Sequence, residues 1–212
     1  MNAASEKHIA VVGAGVAGLA AAKLARAHGA HTTVLEARPR IGGRALTDEA
    51  TLGWPWDRGC HWLHCADINP FTGMAQRFGF TVKRTATPQH LWLGNRWADA
   101  HTHAAWDAAI HARTAAIAAA GEAGRDVTAA DVLPTDEDTW SHLFTQRLAA
   151  LSGGEPERCS TLDETRYQDT GANWPVQEGY GRLVASWAVD VPVHTNTPVK
   201  RIAWNKPRRV GL

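Results

Sequence analysis

The chain has 212 residues and a mass of 22.9 kDa; with 44% hydrophobic and 20% charged residues it can bury one good core and part of a second, and it is too apolar for a disordered chain. Lys and Arg number 22 against 21 Asp and Glu, and a net charge of +1 marks neither a nucleic-acid binder nor a membrane-surface binder. Three cysteines are too few, and odd in number, for a disulfide scaffold, which points to a reducing, cytoplasmic setting.

His8 to Val12 is a short, mostly apolar run closing on glycine, the pattern of a strand buried on both faces of a parallel sheet. Val16 to His28 is rich in Ala, Leu, Lys and Arg and stops at Gly29, a helix with its C-cap. His31 to Leu35 restores β character, so the chain opens with a βαβ unit and an α/β fold is expected. The apolar stretch Ala10 to Ala22 contains glycines and stops at Lys23, short of the ~20 residues a membrane span needs. Glu6 weakens a signal-peptide reading of the same stretch. Neither a transmembrane helix nor export is expected.

Glu36 to Gly59 has no long periodic run and reads as functional loop. Asn69-Pro70 opens a helix to Phe78, ended by Gly79, and Leu91 to Trp97 is a hairpin turning at Gly94-Asn95 with cross-strand tryptophans. Helices follow over Ala104 to Ala120, whose apolar stripe Arg113 interrupts, and from about Asp136 to Leu151, with a capped turn at Thr128 to Asp131 between them. Glu178 to Gly181 precedes a helix over Arg182 to Val189; Val191 to His194 and Val199 to Trp204 are strand-like, and Lys206 to Leu212 is a structureless tail. Three segments are expected: 1–70 and 176–212 as the α/β domain, and 71–175 as a mainly helical subdomain inserted between them.

Gly13-Ala14-Gly15-Val16-Ala17-Gly18 is G-x-G-x-x-G placed between the first strand and helix. Gly13 permits the tight turn, Gly15 removes the Cβ that would block a pyrophosphate, and Gly18 lets the helix lie close on the sheet. Glu36 ends the second strand, where a carboxylate accepts both ribose hydroxyls and repels a 2′-phosphate, so NADP is disfavoured. Cys60, His61, His64 and Cys65 are four potential zinc ligands in six residues, too close along the chain to converge on one ion, and no metal site is expected. Most of the ten tryptophans are expected to pack in the core.

Glu36 to Arg44, with Arg38, Gly42, Gly43 and Arg44, resembles the E-A-x-x-R-x-G-G-R segment of the flavin-containing amine oxidases. Asp57 to His64 resembles the D-x-G-x-x-W-x-H segment of their polyamine-oxidase-like members, with Arg58 and Cys60 as departures, and Glu178 to Val184 with Val191 to Ile202 is similar to the family's return to the FAD domain. The resemblance implies a glutathione-reductase-type FAD-binding domain with an inserted helical substrate subdomain. It assigns FAD to Gly13, Gly15, Gly18, Glu36, Arg38, Gly42, Gly43, Arg44 and Val199, whose backbone would meet the adenine. His64 is expected beside the reacting centre as the catalytic residue, although a histidine packed and hydrogen-bonded in the interior reads equally well.

The chemistry implied is oxidation of a small-molecule amine to an imine, with hydride passing to the flavin and oxygen reoxidising it. Intact relatives place an active-site lysine, an aromatic cage and a last FAD-binding segment beyond the equivalent of Trp204. The chain is therefore expected to be an N-terminal part or a shortened product that needs its missing half or a partner chain. A carotenoid desaturase or protoporphyrinogen oxidase shares the fingerprint but not usually the W-x-H segment; a non-catalytic remnant that binds FAD stands as the alternative from another class.

Overall fold

The computed structural model describes residues 7–84, 90–135, 138–203 and 210–211. The chain divides into two compact units, one made of residues 1–86 and 170–212, the other of residues 87–169. Boundaries after residues 70 and 175 are expected from sequence. Here the helix at 70–77 stays with the first unit because Phe71 and Ala75 are buried in its core, and Trp174 packs against that core too.

The first unit opens with β1 (His8–Val12), α1 (Val16–Ala27) and β2 (His31–Leu35), and β1 and β2 pair in parallel from His8↔His31 to Val12↔Leu35. Leu19 and Ala22 bury one face of α1, which stops where Gly29 takes a φ of +83°. On its other side β2 pairs in parallel with a returning strand at Val193–His194, so among the described residues β2 is central and β1 is an edge. The expectation that β1 is covered on both faces is corrected: Ile9 and Val12 are 39% and 52% exposed. An unbroken apolar run reports a strand that can be buried, not which neighbours cover it.

The loop after β2 contains a two-stranded ladder, β3 (Thr47–Asp48) against β4 (Trp56–Asp57), and leads to β5 (Trp62–Leu63). In α2 (Pro70–Arg77) the Asn69 side chain accepts from the Phe71 N–H and Pro70 stands where an N–H would have no helical partner, so the start lies where the sequence puts it.

In the second unit β6 (Trp92–Leu93) and β7 (Arg96–Trp97) form the hairpin, with the Trp92 and Trp97 rings paired at 4.8 Å. Three helices follow, α3 (Ala100–Glu122), α4 (Ser141–Ser152) and α5 (Thr161–Arg166), around Trp106, Ala109, Ile117, Phe144 and Leu148. The Thr128 to Asp131 turn is a 3-10 helix closed by a reciprocal capping box. Asp136, the expected start of the second helix, lies outside the described residues. Arg113 does not break the apolar face; it is buried, donating to Asp138 at 2.6 Å and to Ser141 at 3.1 Å.

The chain returns to the first unit through β8 (Trp174–Pro175), α6 (Tyr180–Trp187), β9 (Val193–His194), β10 (Arg201–Ile202) and β11 (Val210–Gly211). The α6 side chains Leu183 and Val184 are fully buried beside Leu19, Val34 and Leu63, the leucines worth about 1.5–3 kcal/mol each on burial. The strand expected over Val199 to Trp204 shrinks to Arg201–Ile202, antiparallel to Val210–Gly211 of the expected tail; Trp204 lies outside the described residues. No described helix is long and apolar enough to cross a membrane.

Candidate functional site

The glycine loop after β1 is folded by two glycines and left open by a third. Gly13 has a φ of +95°, and a Cβ on Gly18 would overlap the Gly13 carbonyl oxygen, so both are needed by the turn and the helix packing. Gly15, the N-cap of α1, sits at φ −72° and ψ 173°, and a Cβ there would meet nothing nearer than the Gly43 Cα at 4.0 Å. Neither strain nor packing within the chain demands a glycine at 15; it keeps the mouth of the loop free of a side chain.

Glu36 follows β2 and turns back to this loop. The residue is 8% exposed, and its carboxylate accepts from the Ala14 N–H at 2.8 Å and the Arg38 N–H at 2.9 Å. Those two bonds, Arg38 first, hold its carboxyl below the ordinary value against the opposing effect of burial, with Arg38 and Arg40 adding favourable charge. Each oxygen keeps a second acceptor site, so a diol can still be received.

The arginine-glycine loop lies against the same turn. The Gly42 N–H donates to the Ala14 carbonyl at 2.8 Å, and Gly15 and Gly42 form a parallel bridge. Arg40 donates to the carbonyls of Ile41 and Gly43 and so braces the loop, whereas Arg38 and Arg44 are exposed. The return segment joins them through Glu36 N–H to His194 O, Thr197 N–H to Glu36 O and Asn196 N–H to Arg38 O. Val199 is half-buried two residues beyond Thr197 and belongs to no strand. Gly13, Gly15, Gly18, Glu36, Arg38, Gly42, Gly43 and Arg44 are thus brought together around one turn, with Val199 on the returning segment beyond β9 and in no strand.

A second cluster lies around β5. The Asp57 side chain, 1% exposed, accepts from the Tyr180 and Gly181 N–H groups at the start of α6 and from the Thr47 hydroxyl, so it ties the first segment to the returning one. Trp62 and Leu63 pair antiparallel with Pro175 and Trp174. His64 is exposed, not packed in the interior, and its Nδ1 lies 2.6 Å from the Asn173 side-chain oxygen. Asn173, Thr47 and the Asn196-Thr197 backbone carry no local sequence signal, since each partner is far along the chain. Among the described residues no group of His, Cys, Asp and Glu is placed to hold a metal ion. A cavity of about 420 Å³ lies in the helical unit between Asp126, Asp131, Arg158 and Cys159, and none of the expected site residues lines it.

The family model described as flavin containing amine oxidoreductase matches residues 16–212. The chain belongs to this family. It is 44% identical over 79 residues to the probable polyamine oxidase 4 of Arabidopsis thaliana, covering 37% of this chain and 16% of that protein. It is 35% identical over 102 residues to polyamine oxidase 3 of Oryza sativa subsp. japonica, covering 48% of this chain and 20% of that protein. Among solved structures, cyclohexylamine oxidase from Brevibacterium oxydans IH-35A aligns with a TM-score of 0.62 at 19% identity, over 91% of this chain and 51% of that one. A putrescine oxidase bound to putrescine aligns with a TM-score of 0.61 at 18% identity, over 90% of this chain and 51% of that one. At these identities the structural likeness is one of fold. The chain spans 16% and 20% of the two curated relatives and about half of the solved neighbours. As a member of this family it is a flavoprotein whose cofactor is FAD.

Proposed function

We propose that the first unit is the FAD-binding domain, of glutathione-reductase type, of an enzyme that oxidises a small-molecule amine to an imine. The observation that carries this reading is Gly15, a glycine with extended backbone and room for a side chain, lying between the Gly42-Gly43 turn and the start of α1. Its smallness is accounted for by a ligand's close approach, and the free N–H groups at the start of a helix suit an anion. Glu36 would receive the two ribose hydroxyls on the acceptor sites its backbone bonds leave open. Arg38 and Arg44, both exposed, would pair with the pyrophosphate, the Gly42-Gly43 backbone would close over it, and the Val199 backbone would meet the adenine.

When bound, FAD would supply the two-electron redox chemistry that oxidation of the C–H bond beside the amine nitrogen needs. This chain's residues bind and orient. Asp57 fixes the start of α6 against the β3–β4 ladder, and His64, beside Trp62, offers a ring nitrogen to the amine. The relatives named for polyamine and putrescine oxidation support an amine as substrate.

The cofactor assignment is tested by denaturing the purified chain and identifying what is released, or by titrating the apoprotein with FAD and NAD. Flavin recovery or FAD saturation is expected. A nicotinamide dinucleotide bound in its place, with no flavin, would falsify the reading.

A further inference from the structure

The most informative feature that this reading does not use is the side chain facing His64. The β5–β8 ladder pairs Trp62 with Pro175 and Leu63 with Trp174, so the next antiparallel step sets His64 directly opposite Asn173. The two residues are 109 apart in the chain, and their side chains meet at 2.6 Å between Nδ1 and Oδ1. Both ends of the pair are held from behind. The Asn69 amide donates to the His64 carbonyl at 2.9 Å, and the Asn173 amide nitrogen donates to the Gly171 carbonyl at 3.4 Å.

The second of these bonds orients the asparagine amide. With Nδ2 turned to a carbonyl, Oδ1 is the atom that faces the imidazole, and an amide oxygen only accepts. The ring nitrogen opposite it must donate. Nδ1 therefore carries the proton of the neutral ring, and Nε2 is left with its lone pair. Among the described residues nothing bonds Nε2, and the side chain is exposed.

We infer that Asn173 is a positioning residue that locks His64 as the Nδ1–H tautomer, so that its outward nitrogen is an obligate hydrogen-bond acceptor. This deepens the amine-oxidation reading and rests on it for its functional meaning: an acceptor at that point selects for ligands that present N–H, as an alkylammonium or amine does. The opposite tautomer would set an N–H against the incoming N–H and reject it.

The tautomer is read directly from the imidazole nitrogen shifts of the ¹⁵N-labelled 212-residue chain at alkaline pH, with His64 assigned by comparison with His64→Gln. In the unsubstituted chain Nδ1 is expected at the protonated-type shift and Nε2 at the unprotonated-type shift. Asn173→Ala removes the acceptor and should move the tautomer ratio toward Nε2–H by up to roughly tenfold, the ratio one net hydrogen bond sets. Asn173→Asp retains an acceptor and should restore Nδ1–H, which a general loss of structure would not do. An unsubstituted chain in the Nε2–H form, or a ratio that Asn173→Ala leaves unchanged, overturns the inference. The measurement needs no cofactor, so a chain that fails to bind FAD while showing the expected tautomer refutes the proposed function and leaves this inference standing.

Discussion

Replacing Glu36 by glutamine keeps the shape of the side chain and turns one of its acceptors into a donor. The carboxylate takes the Ala14 and Arg38 N–H groups on separate oxygens at 2.8 and 2.9 Å, so after the substitution one of these N–H groups faces an NH₂. A hydrogen bond to a charged acceptor is worth about 1.5–3 kcal/mol, and that is the expected loss of unfolding free energy in urea. If the remaining acceptor sites also receive the ribose, FAD affinity measured by flavin fluorescence falls by a further ~1–3 kcal/mol, roughly 5- to 150-fold in Kd. Arg113→Ala separates this effect from simple destabilisation. It breaks the ion pair between the buried Arg113 guanidinium and the part-exposed Asp138 in the helical unit and should leave FAD affinity unchanged. Equal losses of affinity in the two variants, measured where both remain folded, would refute the ribose assignment.

Gly15→Ala should change unfolding free energy by less than about 0.5 kcal/mol while weakening FAD at least tenfold, because its Cβ has room in the chain and none beside a pyrophosphate. Gly18→Ala, whose Cβ would overlap the Gly13 carbonyl oxygen, should cost about 1–3 kcal/mol of stability in the apoprotein, and comparison of the two by urea melts and FAD titration checks both. The Arg113 guanidinium, followed by the Ser141 hydroxyl, lowers the Asp138 carboxyl from 3.8 to about 2 in the folded chain, so its stabilisation is complete above pH 3.8 and is lost as pH falls through about 2. Asp138→Asn should flatten the acid limb of the stability profile in that window, and an unchanged slope would show that other carboxylates set it.

The features legible in the sequence are those whose cause is local. The turn at Gly13, the return of Glu36 and the Asn69-Pro70 helix start each rest on residues a few positions apart or on one βαβ unit, and their positions agree with the fold. What could not be read depends on pairing across the chain. β5 and β8 are two residues each, too short for any periodicity to reveal, yet their register brings Asn173 to His64. Asp57 opens the segment that resembles D-x-G-x-x-W-x-H; besides Thr47, its bonds are to the start of α6, 123 residues on. Arg113 reads in the sequence as a polar break in an apolar stripe because its partner Asp138 lies beyond the helix, where helical spacing carries no information. The exposed edge at β1 follows the same logic, since burial propensity is a property of the strand and coverage is a property of its neighbours.

Turnover places a stricter demand on the structure than binding does. Oxidation of an amine requires the substrate held against the flavin in a water-poor pocket, and small misplacements there already cost orders of magnitude in rate. Around His64 the described residues supply the Asn173 contact and the Trp62 strand, but the histidine side chain itself is exposed. An exposed acceptor can hold an ammonium group; it cannot exclude water from it. The 212-residue chain, loaded with FAD, is therefore expected to bind flavin and to release no peroxide above background across a panel of polyamines and aromatic amines, whether or not His64 is replaced. Sustained, amine-dependent peroxide production that His64→Ala abolishes would show that these residues enclose a working active site on their own, and would overturn the inference drawn from the exposure of His64.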